Sequence, residues 1–312
     1  MGDKGVGVTI LTGALGSGKS TMIKHLLRNN KGLKIAVVIN EVGENSQQID
    51  ITLSEGTLDT EKDDFKLDIL DLPSGCVCCT VRGATVASLE QIVKRRSIDC
   101  IILETTGIAD PGPIASELWV DEALESSIHL DGIVTVVDAV NFEKHLKLQN
   151  GIRNKQIQYA NILVINKYDE GINGQIMELV SALNPTAQIL KANHSVVDVL
   201  DIVKRNFYEK HPVHLLHVDE SHLDSYSIRN FSFTESLDKS KFEEWLMHIL
   251  WERGDYDIYR IKGYFAFEGM PYKQGLQGIM EVYEFYDLKY ENDSKSEMIL
   301  IGKNLGNLQY KS

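Results

Sequence analysis

The sequence has no hydrophobic run long enough to cross a membrane, and it is poor in cysteine and in positive charge. A spanning helix needs about 18 or more consecutive apolar residues, and the N-terminus lacks the charged-then-apolar pattern of a secretory signal. Acidic residues outnumber basic ones by 45 to 32, and the net charge of −13 would repel the phosphates of nucleic acids and membranes. We therefore expect a cytoplasmic protein that binds neither nucleic acid nor membranes.

Only four cysteines occur in 312 residues, namely Cys76, Cys78, Cys79 and Cys100. They are too few and too clustered to form a disulfide framework for a chain of this size. Metal binding or redox chemistry suits the cluster better. Cys100 lies inside an apolar run, so we expect it to be a small core residue rather than a ligand.

Short β-branched runs alternate with helix-length segments from Val6 to about residue 190. The runs are VTIL, IAVVI, LDILDL, CIIL, IVTVV, ILVI and QIL. This alternation predicts an α/β fold with a doubly wound, mostly parallel sheet. Because ligands bind such sheets at the carboxyl ends of the strands, motifs that follow different strands can meet there. The polar, acidic stretch 41–66 predicts a mobile loop or an exposed hairpin.

The pattern changes after a polar, histidine-bearing stretch, which divides the chain into three predicted parts. These are a nucleotide-binding domain at 1–205, a linker at 206–224 and a smaller α+β domain at 225–312. In the last part, helical spacing predicts one helix that packs on a sheet through Phe242, Trp245, Leu246, Ile249 and Leu250. Antiparallel strands are predicted at 258–267, 279–286 and 298–301.

Residues 13–20, GALGSGKS, match the phosphate-binding pattern GxxxxGK[ST] between a strand and a helix. Backbone N–H groups of such a loop wrap phosphates, Lys19 neutralises the β and γ oxygens, and Ser20 offers a hydroxyl to Mg²⁺. An ordinary glycine-rich turn is the alternative. The predicted nucleotide-binding residues of this segment are Gly13, Leu15, Gly16, Ser17, Gly18, Lys19, Ser20 and Thr21.

A second apolar strand ends in Glu104 and is followed by Thr-Thr-Gly107. A carboxylate at Glu104 can hold Mg²⁺ through water, and Gly107 can bring a backbone N–H to the γ-phosphate. This makes 105–110 a predicted switch segment. We assign catalytic roles to Lys19, Ser20 and Glu104; an exposed strand-end glutamate is the alternative reading of Glu104.

The motif Asn166-Lys167-Tyr168-Asp169 follows the strand ILVI directly. The Asp169 carboxylate can accept hydrogen bonds from the N1–H and amino groups of guanine, which adenine does not offer. Together with the phosphate loop, the motif predicts that the nucleotide is GTP, with GDP as its hydrolysis product.

The residues PSGCVCC form a predicted loop at the nucleotide edge of the sheet. The thiolates of Cys76, Cys78 and Cys79 suit a divalent transition metal, for which we predict zinc, although cobalt, nickel and copper(I) also accept thiolates. Three ligands leave a fourth position for water, another side chain or a receiving protein, which favours transfer over permanent structure. Catalytic thiol chemistry is the alternative.

The segments GALGSGKS, NEVGE, PSGCVCC, ETTGIADP and NKYD occur in this order along the chain. In this order they resemble the CobW-type metallochaperone GTPases, and ETTGIADPGPIAS and ILWE look most like the eukaryotic zinc-regulated GTPase metalloprotein activators. The resemblance spans nearly the whole chain. It implies a GTPase domain and a CobW C-terminal domain, a metal at the three clustered cysteines that Glu41 can approach, and delivery to a client apo-metalloprotein.

Two features depart from the family pattern. Members that activate type 1 methionine aminopeptidase dock through a short Cys-Pro-containing N-terminal motif, whereas only about five residues precede the first strand here. That enzyme is one candidate client, although its docking motif is not evident in this sequence. Many relatives carry dense histidine runs, whereas this chain has only scattered His211, His214, His217 and His222, with His194 upstream. A weak metal-loading role is one interpretation of these histidines, and a solvated linker is the interpretation that we favour. A homodimer is compatible with the sequence.

The leading hypothesis is a GTP-hydrolysing metallochaperone in which GTP and Mg²⁺ order the loops around Glu41 and Thr105 and hydrolysis releases the metal. The alternative is a zinc-binding regulatory or storage module in which the nucleotide only sets the conformation. A small-molecule or nucleoside kinase would share the phosphate loop but would leave NKYD and the cysteines unexplained.

Overall fold

The computed structural model describes residues 5–40, 49–54, 84–122, 127–142, 151–169, 174–208, 222–223, 226–252 and 254–310. The chain forms two compact units. The first comprises residues 1–156, 160–176 and 188–207, and the second comprises 157–159, 177–187 and 208–312. The predicted strand LDILDL lies outside the described residues, as do Glu41, Cys76, Cys78 and Cys79.

The first unit is built on a seven-stranded sheet of order β3-β2-β4-β1-β5-β6-β7. Its strands are β1 (Val6–Gly13), β2 (Ile35–Asn40), β3 (Ile49–Ser54), β4 (Cys100–Glu104), β5 (Ile128–Asp138), β6 (Ile162–Asn166) and β7 (Gln188–Lys191). Neighbouring strands pair in parallel, except that β3 runs antiparallel to β2. The predicted mostly parallel, doubly wound sheet is confirmed. Strand β3 lies in the stretch 41–66, for which the sequence predicts a mobile loop or an exposed hairpin. Its antiparallel pairing with β2 fits the hairpin.

Six helices of the described chain follow these strands. They are α1 (Lys19–Arg28), α2 (Ala84–Arg95), α3 (Gly112–Glu122), α4 (Ile152–Tyr159), α5 (Gly174–Leu183) and α6 (Val199–Ile202). The apolar residues of α1 recur at helical spacing, so Met22 and Leu26 are buried together and join a core with Val37 and Val136 of the sheet. From β1 the chain leads first towards β2 and β4 and later towards β5, β6 and β7. This reversal opens a ligand crevice beside the carboxyl end of β1.

Cys100 lies at the start of β4 and is fully buried in this core. Burial raises the pKa of its thiol to about 12. A protonated, inaccessible thiol is neither a nucleophile nor a metal ligand, so the expected core role of Cys100 is confirmed.

The second unit contains a six-stranded antiparallel sheet of order β12-β11-β10-β13-β9-β8 and, among the residues described from 208 onwards, one α-helix, α7 (Lys239–Trp251). Its strands are β8 (His222–Leu223), β9 (Tyr226–Phe233), β10 (Asp257–Phe265), β11 (Tyr272–Ile279), β12 (Val282–Glu291) and β13 (Ser296–Lys303). Of the predicted linker 206–224, the structure describes 206–208 and 222–223, and the latter pair forms β8. No helix of the described ranges is long and apolar enough to cross a membrane.

Helix α7 packs on one face of this sheet, as its spacing predicts. Phe242 and Leu246 are fully buried, and the Phe242 ring centroid lies 4.4 Å from that of Phe265. Asp238 caps the helix, since its side chain accepts a hydrogen bond from the backbone N–H of Lys241 at 3.1 Å. The smaller core combines a cluster of phenylalanine rings with buried leucine and isoleucine side chains.

The predicted strand at 279–286 is wrong. The chain turns at Met280 and Glu281, and Ile279 pairs with Val282 across the tip of the β11–β12 hairpin. Met280 takes a φ of 53°, a left-handed conformation for which turns normally use Gly or Asn. Because neither Gly nor Asn marks this turn, the sequence does not show where β11 ends and β12 begins.

We expect Phe242→Ala to destabilise the second unit by about 3–5 kcal/mol, because a fully buried aromatic side chain leaves a cavity when it is truncated. Urea unfolding can be followed by the fluorescence of Trp245, whose ring lies 5.6 Å from Phe242. Glu244→Ala on the exposed side of α7 is the matched control and should stay within about 0.5 kcal/mol of the parent. Equal midpoints for the two variants would contradict the assigned core.

Candidate nucleotide-binding site

The phosphate-loop motif lies between β1 and α1 at the carboxyl edge of the parallel sheet. The backbone at Gly13 and Gly18 has φ values of 137° and 109°, which side chains with a Cβ rarely adopt. A Cβ on Gly13 would collide with the Val136 carbonyl oxygen, and one on Gly18 would collide with the Asn166 side-chain nitrogen. These glycines let the loop pass directly against the ends of β5 and β6.

Lys19 begins α1 and is buried beneath the loop. Its Nζ donates hydrogen bonds to the carbonyl oxygens of Gly13 at 2.8 Å and Ala14 at 3.1 Å. Burial lowers the pKa of Lys19, while the charge of Glu104 raises it and that of Arg153 lowers it. In the described chain no side chain caps the N-terminus of α1. The N–H groups of its first turn and the Lys19 ammonium therefore face the same anion-binding position.

Glu104 ends β4, the strand beside β1, and is largely buried. Its Oε1 accepts a hydrogen bond from Ser20 Oγ at 3.4 Å. Beneath them Thr105 Oγ1 donates to Thr12 Oγ1 at 2.9 Å, which fixes the start of the segment after β4. Hydroxyl and carboxylate oxygens are the donors that Mg²⁺ prefers. The neighbouring oxygens of Ser20 and Glu104 therefore fit this ion.

The segment after Glu104 packs against the phosphate loop. A Cβ on Gly107 would lie 2.7 Å from the Leu15 backbone nitrogen, so only glycine permits this approach. The Gly107 carbonyl oxygen accepts a hydrogen bond from Arg153 Nη1 at 2.7 Å. Gly107 thus connects the phosphate loop with the first turn of α4.

Asn166 connects the phosphate loop with the segment after β7. Its Nδ2 donates to the Ser17 carbonyl and to Ser195 Oγ, and its Oδ1 accepts from the Ser195 N–H, all at 2.8 Å. Ser195 Oγ in turn donates to the Gly18 carbonyl at 3.0 Å. The Asn166 amide is therefore used to hold protein segments together, while a contact of its own with the nucleotide stays a prediction.

Lys167 reaches across the same edge of the sheet. Its Nζ donates to the Gly16 carbonyl at 2.9 Å and to Asp138 Oδ2 at 2.8 Å. Asp138 ends β5 and also accepts hydrogen bonds from the N–H groups of Val140 and Asn141. Burial of Asp138 acts to raise its pKa, but the hydrogen bonds from Lys167 and Asn141 outweigh it, so the pKa of Asp138 is lowered. The aspartate is held ionised beside the phosphate loop.

The structure brings the predicted nucleotide residues of three chain segments to one edge. The phosphate loop, the segment from Glu104 to Gly107 and the motif from Asn166 to Asp169 lie at the carboxyl ends of β1, β4 and β6, which belong to the same parallel sheet. Asp169 is exposed there. The predicted metal ligands cannot be placed in this way, since Glu41, Cys76, Cys78 and Cys79 are outside the described residues. Within the described ranges, no group of three or more His, Cys, Asp or Glu is arranged to hold a metal.

Sequence reasoning missed three residues that belong to this edge, namely Asp138, Arg153 and Ser195. Asp138 follows an apolar strand, so the rule that located Glu104 could have located it as well. Arg153 and Ser195 carry no comparable signal. Their roles depend on contacts with residues 46 and 29 positions away in the sequence.

We expect Asp138→Asn to lower the free energy of unfolding by about 1.5–3 kcal/mol at pH 7, because the Lys167 ammonium loses its charged acceptor. The pKa of Asp138 is lower in the folded than in the unfolded protein. Its stabilisation is therefore complete above the ordinary Asp pKa of about 3.9 and is lost as the pH falls through the folded-state pKa. Urea titrations from pH 7 downwards should show a constant difference that shrinks only in acid. A difference near zero at pH 7 would contradict this role.

The chain matches two known domain profiles. The CobW/HypB/UreG nucleotide-binding domain matches residues 7–195, and the cobalamin synthesis protein CobW C-terminal domain matches residues 227–311. The first match covers more than half of the chain and contains the phosphate loop, Glu104 and the motif at 166–169.

Relatives of known function are similar over nearly the full length. Zinc-regulated GTPase metalloprotein activator 1 of Schizosaccharomyces pombe is 34% identical over 96% of this chain and 83% of its own. Zinc chaperone YjiA of Escherichia coli is 28% identical over 96% of this chain and 95% of its own. The crystal structure of Zn(II)-bound YjiA GTPase from E. coli matches with a TM-score of 0.75 and 25% identity, covering 97% of this chain and 96% of that chain. Because the nucleotide-binding profile covers more than half of the chain, including every predicted nucleotide motif that the structure brings to one sheet edge, this chain belongs to the CobW/HypB/UreG family.

Proposed function

We propose that the protein is a GTP-hydrolysing metallochaperone that binds zinc and transfers it to a client apo-metalloprotein. The observation that carries the nucleotide part is the direct connection between the phosphate loop and the NKYD motif. Asn166 bonds to the Ser17 carbonyl and Lys167 bonds to the Gly16 carbonyl. A phosphate site and a base-recognition segment held in one rigid arrangement fit a single guanine nucleotide.

The phosphate groups have a defined place in this arrangement. Lys19 now donates to two loop carbonyls, and on nucleotide binding its ammonium turns to the β and γ oxygens. Ser20 and Glu104 would hold Mg²⁺, which would supply positive charge to the same phosphates. The Gly107 N–H meets the γ-phosphate, because Gly107 already packs on the loop at Leu15.

Hydrolysis joins a water oxygen to the γ-phosphorus as the bond from that phosphorus to the β–γ bridging oxygen breaks. GDP and inorganic phosphate are the products. Negative charge grows on the bridging oxygen as the bond breaks, and Lys19 and the N-terminal N–H groups of α1 face that position. These groups are fixed before the reaction begins, so they stabilise the transition state without reorganisation.

The base is recognised through Asp169. This residue is exposed at the nucleotide edge, two positions after Lys167, whose own position is fixed by Asp138 and Gly16. A carboxylate there accepts the two donors of the Watson–Crick edge of guanine, and adenine presents only one donor and an unfavourable acceptor. The site therefore selects GTP over ATP.

The zinc part of the proposal rests on the cysteine cluster and on the relatives. Three thiolates at Cys76, Cys78 and Cys79 suit zinc as cargo, because the fourth tetrahedral position can be taken by Glu41 in the carrier and given up to a group of the client on transfer. Similar proteins are named zinc chaperones, and one similar structure is described as Zn(II)-bound. Unpaired thiolates require a reducing compartment, which favours the cytoplasm. Type 1 methionine aminopeptidase is one candidate client.

A zinc-binding regulatory or storage module is the second candidate. It shares the ligands and the nucleotide switch but does not deliver metal. Transfer of zinc to an apo-client separates the two, since a chaperone transfers faster with GTP than with a non-hydrolysable analogue, whereas a storage module shows no such dependence.

We expect Asp169→Asn to weaken GTP binding by about 10- to 150-fold, because hydrogen bonds to a charged acceptor contribute about 1.5–3 kcal/mol. Xanthine carries a carbonyl oxygen where guanine carries its amino group, so the new amide should donate to it and xanthosine nucleotides should bind the variant better than the parent. Calorimetric titration with GDP, XDP and ADP measures this exchange. A parent protein that binds ADP as tightly as GDP would contradict the assignment.

Zinc affinity and nucleotide state should be linked. A coupling free energy of about 1–3 kcal/mol makes zinc affinity differ roughly 5- to 150-fold between the states with GDP and with a non-hydrolysable GTP analogue. Linkage requires zinc to change the relative affinity of the two nucleotides by the same factor. A competing chelator at fixed pH and Mg²⁺ measures both.

The matched control for this coupling is Cys100→Ala, because Cys100 is a buried thiol remote from solvent. Zinc binding and coupling should survive this substitution and should be lost together when Cys78 and Cys79 are replaced with Ser. Equal zinc affinities in the two nucleotide states would favour the regulatory or storage module.

A further inference from the structure

Arg153 is a buried cation in the first turn of α4, and its side chain is aimed at the segment after β4. Only 7% of the residue is exposed. Its Nη1 donates to the Gly107 carbonyl oxygen at 2.7 Å and to Gln156 Oε1 at 2.9 Å. Gln156 Nε2 in turn donates to the Ala109 carbonyl oxygen at 2.9 Å. Two residues of α4 therefore hold two backbone carbonyls of the predicted switch segment.

A third contact extends the same connection. Lys155 Nζ lies 3.0 Å from Asp110 Oδ2 at the end of this segment. At its other end, Gly107 approaches the Leu15 nitrogen so closely that a Cβ would not fit. Glycine has more backbone freedom than any other residue. Gly107 must be glycine in order to approach Leu15 so closely, and the same residue choice leaves its backbone in need of restraint from a neighbouring element. The hydrogen bond from Arg153 supplies that restraint.

The charge of Arg153 has no carboxylate partner among the residues that the structure describes. Its Nε–H is buried, and no acceptor for it lies among the described residues. A buried cation without an opposing charge is costly, and folds retain such groups where an anion or a function offsets the cost. Arg153 is connected to the phosphate loop through Gly107, which packs against Leu15.

We propose that Arg153 is a positioning residue for GTP hydrolysis, which holds the Gly107 backbone so that the Gly107 N–H meets the γ-phosphate. The inference rests on the proposed GTPase function and adds a residue outside its recognised motifs. GDP has no γ-phosphate, so it does not use the Gly107 N–H. Arg153 therefore affects the rate of hydrolysis and the binding of GTP relative to GDP, with little effect on the binding of GDP itself.

The test compares Arg153→Gln and Arg153→Lys in the full-length protein with Mg²⁺. Single-turnover hydrolysis gives the rate constant at saturating GTP, and titrations with GDP and a non-hydrolysable GTP analogue give the affinities. For Arg153→Gln we expect the rate constant to fall by about 100-fold, as displacement of a reacting group by about 1 Å does. GDP affinity should stay within about twofold. Arg153→Lys should recover part of the rate, because its ammonium can still donate to the Gly107 carbonyl.

The matched control is Arg229→Gln, which removes another arginine, from β9 of the second unit, where its guanidinium lies over the Phe231 ring. It should leave the rate constant and the GTP-to-GDP affinity ratio unchanged even where it lowers the melting temperature. If Arg153→Gln folds poorly, Gln156→Met removes the hydrogen bonds to the Ala109 carbonyl and from Arg153 Nη1 without removing a buried charge. It should slow hydrolysis by about tenfold with GDP affinity retained.

Two results would overturn the inference. An unchanged rate constant in Arg153→Gln would show that the Gly107 backbone needs no restraint from α4. A parallel loss of GDP affinity and rate would show that Arg153 only supports the fold of the phosphate loop. Lys19→Ala separates these results from failure of the proposed function, because unchanged hydrolysis in that variant would mean that the phosphate loop is not the site of GTP hydrolysis.

Discussion

The hydrogen bonds of the Asn166 side chain are the interaction on which the nucleotide edge depends. One amide joins the phosphate loop at Ser17, the end of β6 and the segment at Ser195. An asparagine buried at this depth is stable only when both its donor and its acceptor are used, and here they are. The network therefore sets the distance between the part of the site that faces phosphate and the part that faces the base.

Three cationic side chains point into this edge although the chain as a whole is acidic. The net charge is −13, yet Lys19, Arg153 and Lys167 all direct their cationic groups towards the phosphate loop or the segments packed on it. Lys167 is balanced by the buried Asp138 carboxylate. Lys19 and Arg153 instead donate mainly to backbone carbonyls, which are weaker partners than an anion. This leaves a local preference for a polyphosphate within a protein whose overall field repels anions.

The segment after Glu104 is the part of the site that can report which nucleotide is bound. It touches the phosphate loop at Gly107 and α4 at Gly107, Ala109 and Asp110. The segment is held by hydrogen bonds to its backbone carbonyls rather than by packed apolar side chains, so it can adopt a second arrangement at modest cost. A switch that a γ-phosphate biases needs this combination of contact with phosphate and limited burial.

The sequence by itself determined the fold class and the local motifs, because each depends on residues that are neighbours in the chain. Strand periodicity predicted the parallel sheet, and the spacing of Gly13, Gly18 and Lys19 predicted the phosphate loop. The turn at Met280 could not be predicted, because no residue there signals a left-handed backbone. Only the tertiary structure decided that Arg153 meets Gly107 and that Asn166 bonds to Ser17, since these contacts arise when separate strands and helices pack side by side. Hydrogen bonds between distant segments depend on distances and directions in space, and one-dimensional residue patterns do not contain them.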